Sequence, residues 1–333
     1  MRNIYMLCPA NIKTGGTELA HQLVFLLRKC GKNAQIAYSE SKDGKYIPEE
    51  FMQYVTDYLL IEKIPDVESN IVIIPEGMTE YTRVFKKAYI YVWWMSVDNY
   101  FHPMGIRRAY DNNGMNQVVK EIIKRVIRKN EPRCTPICEM DNVKLHMVQS
   151  KYAEMFLKDN NVANIVYLSD YINDKYMILS DSIQSSKKKN IVLYNPKKGR
   201  RFTRQLIKSC RDIKFIPIIN MNNEQVIEIM SEAKVYIDFG NHPGKDRMPR
   251  EAAMLKCCII TGKKGSAKYY EDVSIPDEFK FSDCKKSFKN IREKIYTVFE
   301  DYENETKKFD FYREKIKNEK PLFMKQVEDI FVK

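Results

Sequence analysis

Short apolar runs alternate with helical patterns along the chain, and this alternation most limits the folds open to it. In the first half, apolar runs predict strands at 3–8, 34–38, 70–74, 89–95 and 143–149, and residues 17–30 have the apolar stripe of a helix. Strands that are apolar on both faces are typical of parallel sheets covered by helices on both sides. The first half is therefore predicted to be an α/β domain.

The same pattern restarts after a polar run at residues 181–189. Strands are predicted at 190–194, 213–219, 235–239 and 257–261, with helices between them. The sequence thus predicts two tandem Rossmann-like domains, residues 1–180 and 190–300, followed by a helical tail, 301–333, that packs back on the first domain. Two such domains place a ligand cleft between them, at the carboxyl ends of both sheets.

The composition narrows the class of protein further. Hydrophobic residues make up 44% of the chain, which is typical of a globular protein, and no run approaches the roughly 20 apolar residues of a membrane-spanning helix. The net charge of +12 favours an anionic partner. The eight cysteines, without a recognisable secretory signal, indicate reduced thiols in a cytoplasmic protein. No second Cys or His pair at zinc-binding spacing accompanies Cys134 and Cys138, so no metal site is predicted there. No cofactor is predicted either.

The most informative segment is 238–253, where an apolar strand runs into a helix. It carries three cations, Lys245, Arg247 and Arg250, beside the carboxylates of Asp246 and Glu251. The amino end of a helix has unpaired N–H groups and a favourable dipole for anions. Burying so many charges without partners would cost several kcal/mol for each of them. The segment is therefore predicted to line a cleft that binds phosphate groups.

Two other strand-to-helix junctions have related features. Gly15 and Gly16 follow the first predicted strand, where they allow close approach of the backbone to a ligand, and Thr17 can cap the next helix. The spacing matches neither the dinucleotide fingerprint nor a P-loop, and a simple tight turn is the alternative. In the second domain, a basic run follows the first strand and contains Lys197, Lys198, Arg200 and Arg201. A solvated basic turn is the alternative for that run.

The Gly-Gly-Thr-Glu loop, the polar linker and the Pro-Arg-Glu-Ala-Ala helix before a Cys-Cys-Ile-Ile-Thr strand resemble the GT-B nucleotide-sugar glycosyltransferases. The resemblance is to the retaining group that builds bacterial polysaccharides. It implies metal-independent transfer of a sugar from a nucleotide diphosphate-sugar donor to a glycan or lipid-linked glycan. The chain has no Asp-x-Asp motif, which argues against the metal-dependent single-domain design.

The resemblance also implies roles for individual residues. Glu251 corresponds to the glutamate that binds the donor ribose. The remaining donor-binding candidates are Gly15, Gly16, Thr17, Lys197, Lys198, Arg201, Lys245, Arg247 and Arg250. Pro243 stands where the family has a second glutamate, so His242 and Asp246, which flank it, become the catalytic candidates on the donor side.

The acceptor side is predicted at strand ends of the first domain. Glu76 follows the third strand, and Asp98 and His102 follow the fourth. Asp98 or His102 would be the general base of an inverting enzyme, while a retaining enzyme of this fold needs none. An ordinary loop cap is the alternative for Asp98. Trp93 and Trp94 alternate on a strand, so at least one is expected in the core, and Trp94 is a candidate for stacking on a sugar ring.

Residues 117–129 have apolar pairs with basic residues between them. Such a helix either lies on an anionic membrane surface, which would place the protein on the inner face of the membrane, or packs on its own sheet. Two functions compete with glycosyl transfer: a sugar-nucleotide epimerase of the same architecture and a non-catalytic nucleic-acid-binding protein. The basic residues cluster at strand-to-helix turns, so no nucleic acid partner is expected.

Overall fold

A computed structural model describes residues 2–41, 44–101, 115–127 and 134–332, which form two compact units. The first unit contains Met1–His102, Asn130–Asp170 and Lys320–Lys333, and the second contains Pro103–Lys129 and Tyr171–Glu319. Residues 171–180, which the sequence assigns to the first domain, thus lie in the second unit. The domain boundaries drawn from the sequence stay predictions.

Among the described residues of the first unit, seven parallel strands form one sheet in the order β3-β2-β1-β4-β5-β6-β7. They are β1 (Asn3–Cys8), β2 (Asn33–Tyr38), β3 (Leu59–Leu60), β4 (Ile71–Pro75), β5 (Tyr89–Trp94), β6 (Val143–Val148) and β7 (Ile165–Tyr167). The chain reverses direction across the sheet between β1 and β4. Such a switch point opens a crevice at the carboxyl ends of the two strands.

The helices of the first unit follow the predicted pattern. They are α1 (Gly15–Lys29), α2 (Val97–Tyr100) and α4 (Lys151–Asp159), while α3 (Met115–Ile127) belongs to the second unit. In α1 the leucines at 19, 23 and 27 are buried, as the apolar stripe predicts. The helix is capped by Thr14, whose side chain accepts a hydrogen bond from the Thr17 N–H. The prediction that Thr17 caps this helix is therefore wrong by one turn, and Thr17 instead completes the capping box.

Within the described residues 189–261, four parallel strands form the second sheet in the order β11-β10-β8-β9. They are β8 (Lys189–Tyr194), β9 (Lys214–Pro217), β10 (Ala233–Asp238) and β11 (Cys258–Thr261). The helices are α5 (Lys175–Ser180), α6 (Arg200–Ser209), α7 (Asn223–Glu232), α8 (Arg247–Met254), α9 (Phe288–Glu300), α10 (Tyr302–Lys307) and α11 (Asp310–Lys317). The sheet and its helices confirm the predicted second α/β unit.

The tail is helical, as the sequence predicts, and its last helix is α12 (Glu319–Phe331). Residues from Lys320 onward belong to the first unit. The Phe323 ring stacks on Trp93 with centroids 6.4 Å apart, and Gln326 Oε1 accepts a hydrogen bond from the Ser169 N–H at 2.8 Å. None of the described helices combines the length and the apolar character needed to cross a membrane.

Candidate functional site

The candidate site lies at the carboxyl edge of the second sheet. Its strand order reverses at β8, which has β9 on one side and β10 on the other. The loop after β8 leads into α6 and contains Lys197 and Lys198, and the loop after β10 leads into α8 and contains His242 and Asp246. The topology therefore brings two sequence-predicted basic segments to one switch point, where α/β sheets bind ligands.

Two glycines hold these loops together. Gly199 and Gly240 both have left-handed backbones, with φ of +48° and +100°. A Cβ on Gly199 would lie 2.4 Å from the Phe239 carbonyl oxygen, and one on Gly240 would lie 2.5 Å from the Gly199 nitrogen. Because only glycine permits both the conformation and the approach, the first turn of α6 can lie directly beside the loop after β10.

Four charged or ionisable side chains, which we call the Lys198 cluster, meet where the two loops touch: Lys198, Asp238, His242 and Asp246. The Lys198 Nζ lies 2.5 Å from Asp246 Oδ2 and 3.4 Å from Asp238 Oδ2. The His242 ring is buried, with Nδ1 2.8 Å from Asp246 Oδ2 and Nε2 3.1 Å from the Asp238 carbonyl oxygen. One ammonium group is thus held between two carboxylates.

The charges within the cluster keep both Lys198 and Asp246 ionised. Burial alone would raise the pKa of Asp246, but the Lys198 ammonium and His242 lower it well below its usual range. Burial opposes the charge of Lys198 as well, yet Asp238 and Asp246 outweigh that effect and raise the lysine's pKa. Lys198 therefore stays protonated, although the two carboxylates beside it offset its charge.

A second buried group, the Glu319 triad, consists of Lys245, Arg250 and Glu319. The Glu319 carboxylate lies 2.8 Å from Lys245 Nζ and 2.6 Å from Arg250 Nη1. Arg250 also donates from Nη2 to the Lys245 carbonyl oxygen, and its side chain is only 1% exposed. In this structure both cations are engaged inside the protein, so the prediction that Arg250 reaches a donor diphosphate finds no support in its position.

Glu251 lies one position further along α8 and is half-buried. Burial raises the pKa of this carboxyl group, while the charges of Arg247, Arg250 and Lys175 and a hydrogen bond with Tyr176 act in the opposite direction. Arg247 is half-buried too. The helix thus offers a carboxylate and a guanidinium near its amino end.

Two cavities flank the first turn of α6. One has a volume of about 310 Å³ and is lined by Gly199, Arg201, Phe202, Gln205, Gly240, Asn241, Lys264, Asp283, Cys284 and Lys285. The other, of about 570 Å³, is lined by Gln117, Tyr194, Pro196, Lys197, Arg200, Thr203, Arg204, Pro217 and Ile219. Basic residues outnumber acidic ones in both linings: Arg201, Lys264 and Lys285 against Asp283 in the smaller cavity, and Lys197, Arg200 and Arg204 in the larger. Both cavities therefore suit an anionic ligand.

Three charged residues of the smaller cavity were not among the sequence-predicted candidates: Lys264, Asp283 and Lys285. Asp283 Oδ2 accepts a hydrogen bond from the Gly240 N–H at 3.0 Å and lies 3.5 Å from Lys264 Nζ. Burial raises the pKa of Asp283, with Lys264 acting against this effect. Lys264 follows β11. Its position just after the last predicted strand is the sequence feature that could have identified it as a site residue.

The first unit has its own set of candidates at the switch point between β1 and β4. Gly15 is exposed at the start of α1, and a Cβ on Gly16 would touch the Met95 side chain at 3.7 Å. Asp98 lies half-buried in α2. His102 lies outside the described residues. The sequence-predicted residues of this unit thus follow β1, β4 and β5.

Trp93 and Trp94 are both fully buried. The Trp94 indole N–H donates to His146 Nδ1 at 3.0 Å, and the Trp93 N–H donates to the Leu168 carbonyl oxygen at 2.9 Å. The prediction that Trp94 offers a face to a sugar ring is wrong in this structure, because its ring lies in the core.

Glu76 is also buried, and both of its carboxylate oxygens accept hydrogen bonds, from the Met95 N–H at 3.0 Å and from Asn99 Nδ2 at 2.9 Å. Burial dominates and raises the pKa of this carboxyl group to about 7. A group poised in this range is suited to proton transfer near neutral pH. In the folded chain Glu76 is therefore half-protonated close to neutrality.

The raised pKa of Glu76 gives a testable pH dependence. Between pH 4.5 and 7 the unfolded chain ionises this group while the folded chain keeps the proton. The free energy of unfolding should therefore fall by about 3 kcal/mol as pH rises through this window. His146, whose pKa burial lowers to about 4, acts in the opposite sense, so the comparison needs a variant. Denaturant unfolding of Glu76→Gln should lack the decrease, and parallel curves for the two proteins would contradict this assignment.

The helix α3 presents an apolar face to solvent. Met115 is 62% exposed, and Val119, Ile122 and Ile123 are about half exposed, whereas Val118 and Glu121 are buried. These exposed positions follow helical spacing, so they form one stripe. In the described part of α3, packing uses the side occupied by Val118 and Glu121 and leaves this stripe uncovered.

The chain is similar to known proteins in structure but not in sequence. No protein-family model matches this chain, and no curated protein sequence matches it either. Solved structures do match. Sucrose-phosphate synthase from Thermosynechococcus elongatus has a TM-score of 0.62 at 11% identity, covering 100% of this chain and 98% of that one. HepE from Anabaena, solved in complex with UDP, has a TM-score of 0.60 at 9% identity and full coverage of both chains.

A glycosyltransferase from Rickettsia africae ESF-5 is similar to the same degree, with a TM-score of 0.61 at 13% identity over 99% of this chain and 97% of that one. The TM-scores and the near-complete coverage show a shared fold, although the sequence identities are low. Together with the two parallel sheets and the helical tail, they identify the architecture: the chain has the GT-B fold of the nucleotide-sugar glycosyltransferases.

Proposed function

We propose that this protein is a glycosyltransferase that moves a sugar from a nucleotide diphosphate-sugar donor to a glycan or lipid-linked glycan acceptor without a metal ion. The observation that carries the proposal is the cationic edge of the second sheet. There the cavities on both sides of α6 are rimmed by basic residues, and Lys198 lies between them at the switch point, protonated and paired with two carboxylates. HepE, which is similar in fold, was solved with UDP and with UDP-glucose.

The donor diphosphate is the group that this edge suits best. As the bond to the sugar breaks, negative charge accumulates on the leaving nucleotide diphosphate, and preorganised cations stabilise that charge. Lys197, Lys198 and Arg201 lie beside the start of α6, whose dipole adds to their effect. Arg247 at the start of α8 is a further candidate. Glu251, one turn into α8, would accept hydrogen bonds from the ribose hydroxyls.

On the acceptor side, Asp98 and Glu76 are the described candidates. A general base at the acceptor hydroxyl is needed only if the reaction inverts the anomeric configuration. Asp98, half-buried in α2, would fill that role in an inverting enzyme, and Glu76 has a pKa in the range where a proton can be exchanged at neutral pH. In a retaining reaction Asp98 would bind the acceptor instead, and Glu76, whose carboxylate oxygens accept hydrogen bonds from the Met95 N–H and Asn99, would keep the loop after β5 in position.

A lipid-linked acceptor would explain the uncovered stripe of α3. Apolar side chains interspersed with lysine and arginine suit the surface of an anionic bilayer, where each basic residue contributes about 1 kcal/mol. Sedimentation with anionic vesicles checks this part of the proposal. Binding should fall when Ile122 and Ile123, both solvent-exposed, are replaced with serine.

A thermal-shift panel of nucleoside diphosphates tests the donor site. A ligand present at a hundredfold excess over its Kd should stabilise the protein by about 2.7 kcal/mol. Glu251→Ala should abolish the shift, because the ribose contact is lost. Glu293→Ala is the matched control, since that glutamate is 62% exposed on α9 and should leave the shift unchanged.

If no nucleoside diphosphate shifts the unfolding transition, the donor-site assignment fails. A shift without transfer to any acceptor, accompanied by release of free nucleotide and an altered sugar, would instead favour the epimerase alternative.

A further inference from the structure

Three of the four residues of the Lys198 cluster are of types that bind metal ions, and the fourth is the lysine itself. Asp238, His242 and Asp246 each offer one ligand atom, and these atoms lie within 4.8 Å of one another. Two carboxylates and an imidazole are ligands typical of Zn²⁺ and other divalent transition metals. The three residues come from the end of β10 and the loop that follows it, so a single strand-to-helix connection supplies the whole set.

The Asp238 carboxylate has an oxygen that makes no hydrogen bond within the described residues. This side chain is 1% exposed, and its Oδ1 has no hydrogen-bond partner among the described residues. Its Oδ2 has two long contacts, 3.4 Å from Lys198 Nζ and 3.5 Å from the Tyr236 hydroxyl, which donates to it. A buried carboxylate oxygen without a donor is costly, so its retention needs a reason. A nearby positive charge provides one.

Lys198 already supplies that charge. Its Nζ lies 2.5 Å from Asp246 Oδ2, closer than the His242 ring does. Two cations at such short range in a buried site repel each other strongly, so the ammonium and a divalent ion exclude one another. We propose that Asp238, His242 and Asp246 are a divalent-metal ligand set whose resident cation is the Lys198 ammonium, and that removal of this side chain opens the set to a metal.

In this arrangement His242 and Asp246 are positioning residues. Asp246 contacts the Lys198 ammonium directly and holds it at the end of the sheet. His242 contacts Asp246 and so holds that carboxylate in place. The inference concerns the cluster alone and does not depend on which reaction the protein catalyses.

Cobalt binding tests the inference. Titration of Lys198→Ala with Co²⁺, followed by visible absorption and calorimetry, should show one ion bound per chain with the ligand-field bands of a protein site. The affinity should exceed that of the wild-type protein by at least about tenfold, because the competing ammonium is gone. The double variant Lys198→Ala/Asp246→Asn should lose these bands.

Lys198→Met, which keeps most of the side-chain volume, guards against a folding defect in the alanine variant, and circular dichroism confirms that both are folded. If the folded variants bind no Co²⁺, the residues are not a metal ligand set and the inference is overturned. If the wild-type protein binds Co²⁺ equally tightly, Lys198 is not the resident cation and the inference is likewise overturned. Because the readout is metal binding, a failure here is distinct from a failure to bind nucleotides.

Discussion

Replacing Gly199 with alanine is expected to destabilise the second unit by about 3 kcal/mol or more. The residue has φ of +48°, and the new Cβ would lie 2.4 Å from the Phe239 carbonyl oxygen. Backbone atoms cannot move aside as the end of a flexible side chain can. The loops after β8 and β10 would therefore have to separate, which displaces the Lys198 cluster as well. Calorimetric unfolding of the purified variant measures the effect.

Gly31→Ala is the matched control. Gly31 also has a left-handed backbone, with φ of +73°, but nothing lies within 4 Å of a Cβ built there. Its substitution should cost only the conformational penalty of alanine, about 1 kcal/mol. Equal losses for the two variants would mean that crowding between Gly199 and Phe239 contributes nothing to the fold.

Arg250→Met is expected to cost about 3–5 kcal/mol of stability, the range for breaking a buried ion pair from one side. The substitution leaves Glu319 with Lys245 as its remaining partner in the triad, although the carboxylate is almost fully buried. It also leaves the Lys245 carbonyl oxygen without the donor that lies 2.9 Å away. Denaturant unfolding measures the loss.

Two comparisons make the Arg250 result interpretable. Arg292→Met breaks an ion pair with Asp212 whose side chains are 46% and 44% exposed, and it should cost less than about 1 kcal/mol. Arg250→Met combined with Glu319→Met removes the guanidinium together with its carboxylate partner and, although Lys245 then loses Glu319, should recover part of the stability. A loss for Arg250→Met no larger than that for Arg292→Met would mean that the buried pair with Glu319 stabilises the fold no more than an exposed pair does.

The sequence predicted the architecture because strand and helix periodicities are local properties. The five strands predicted in the first half are all present. The four of the second half are in place too, with β9 and β11 shorter than predicted and β8 and β10 one residue longer. The α1 cap was misassigned because Thr14 and Thr17 both precede the same apolar stripe. Only the start of the helix at Gly15 decides between them.

The partners of the charged residues could not be predicted, because they are distant in sequence. Arg250 and Glu319 are 69 positions apart, and nothing in the segment 238–253 indicates that two of its cations are neutralised by the last helix. His242 and Asp246 were singled out as neighbours of Pro243. The contact between Asp246 and Lys198, which follows a different strand, depends on the order of strands in the sheet.

The discontinuity of the first unit has a consequence for synthesis on the ribosome. Residues 171–319 of the second unit are made as one stretch, whereas the first unit needs Lys320–Lys333 in addition to its early segments. Trp93 lacks the ring of Phe323 until almost the whole chain has been translated. The core of the first unit is therefore incomplete until translation is nearly over. The unit whose synthesis begins first completes its fold last.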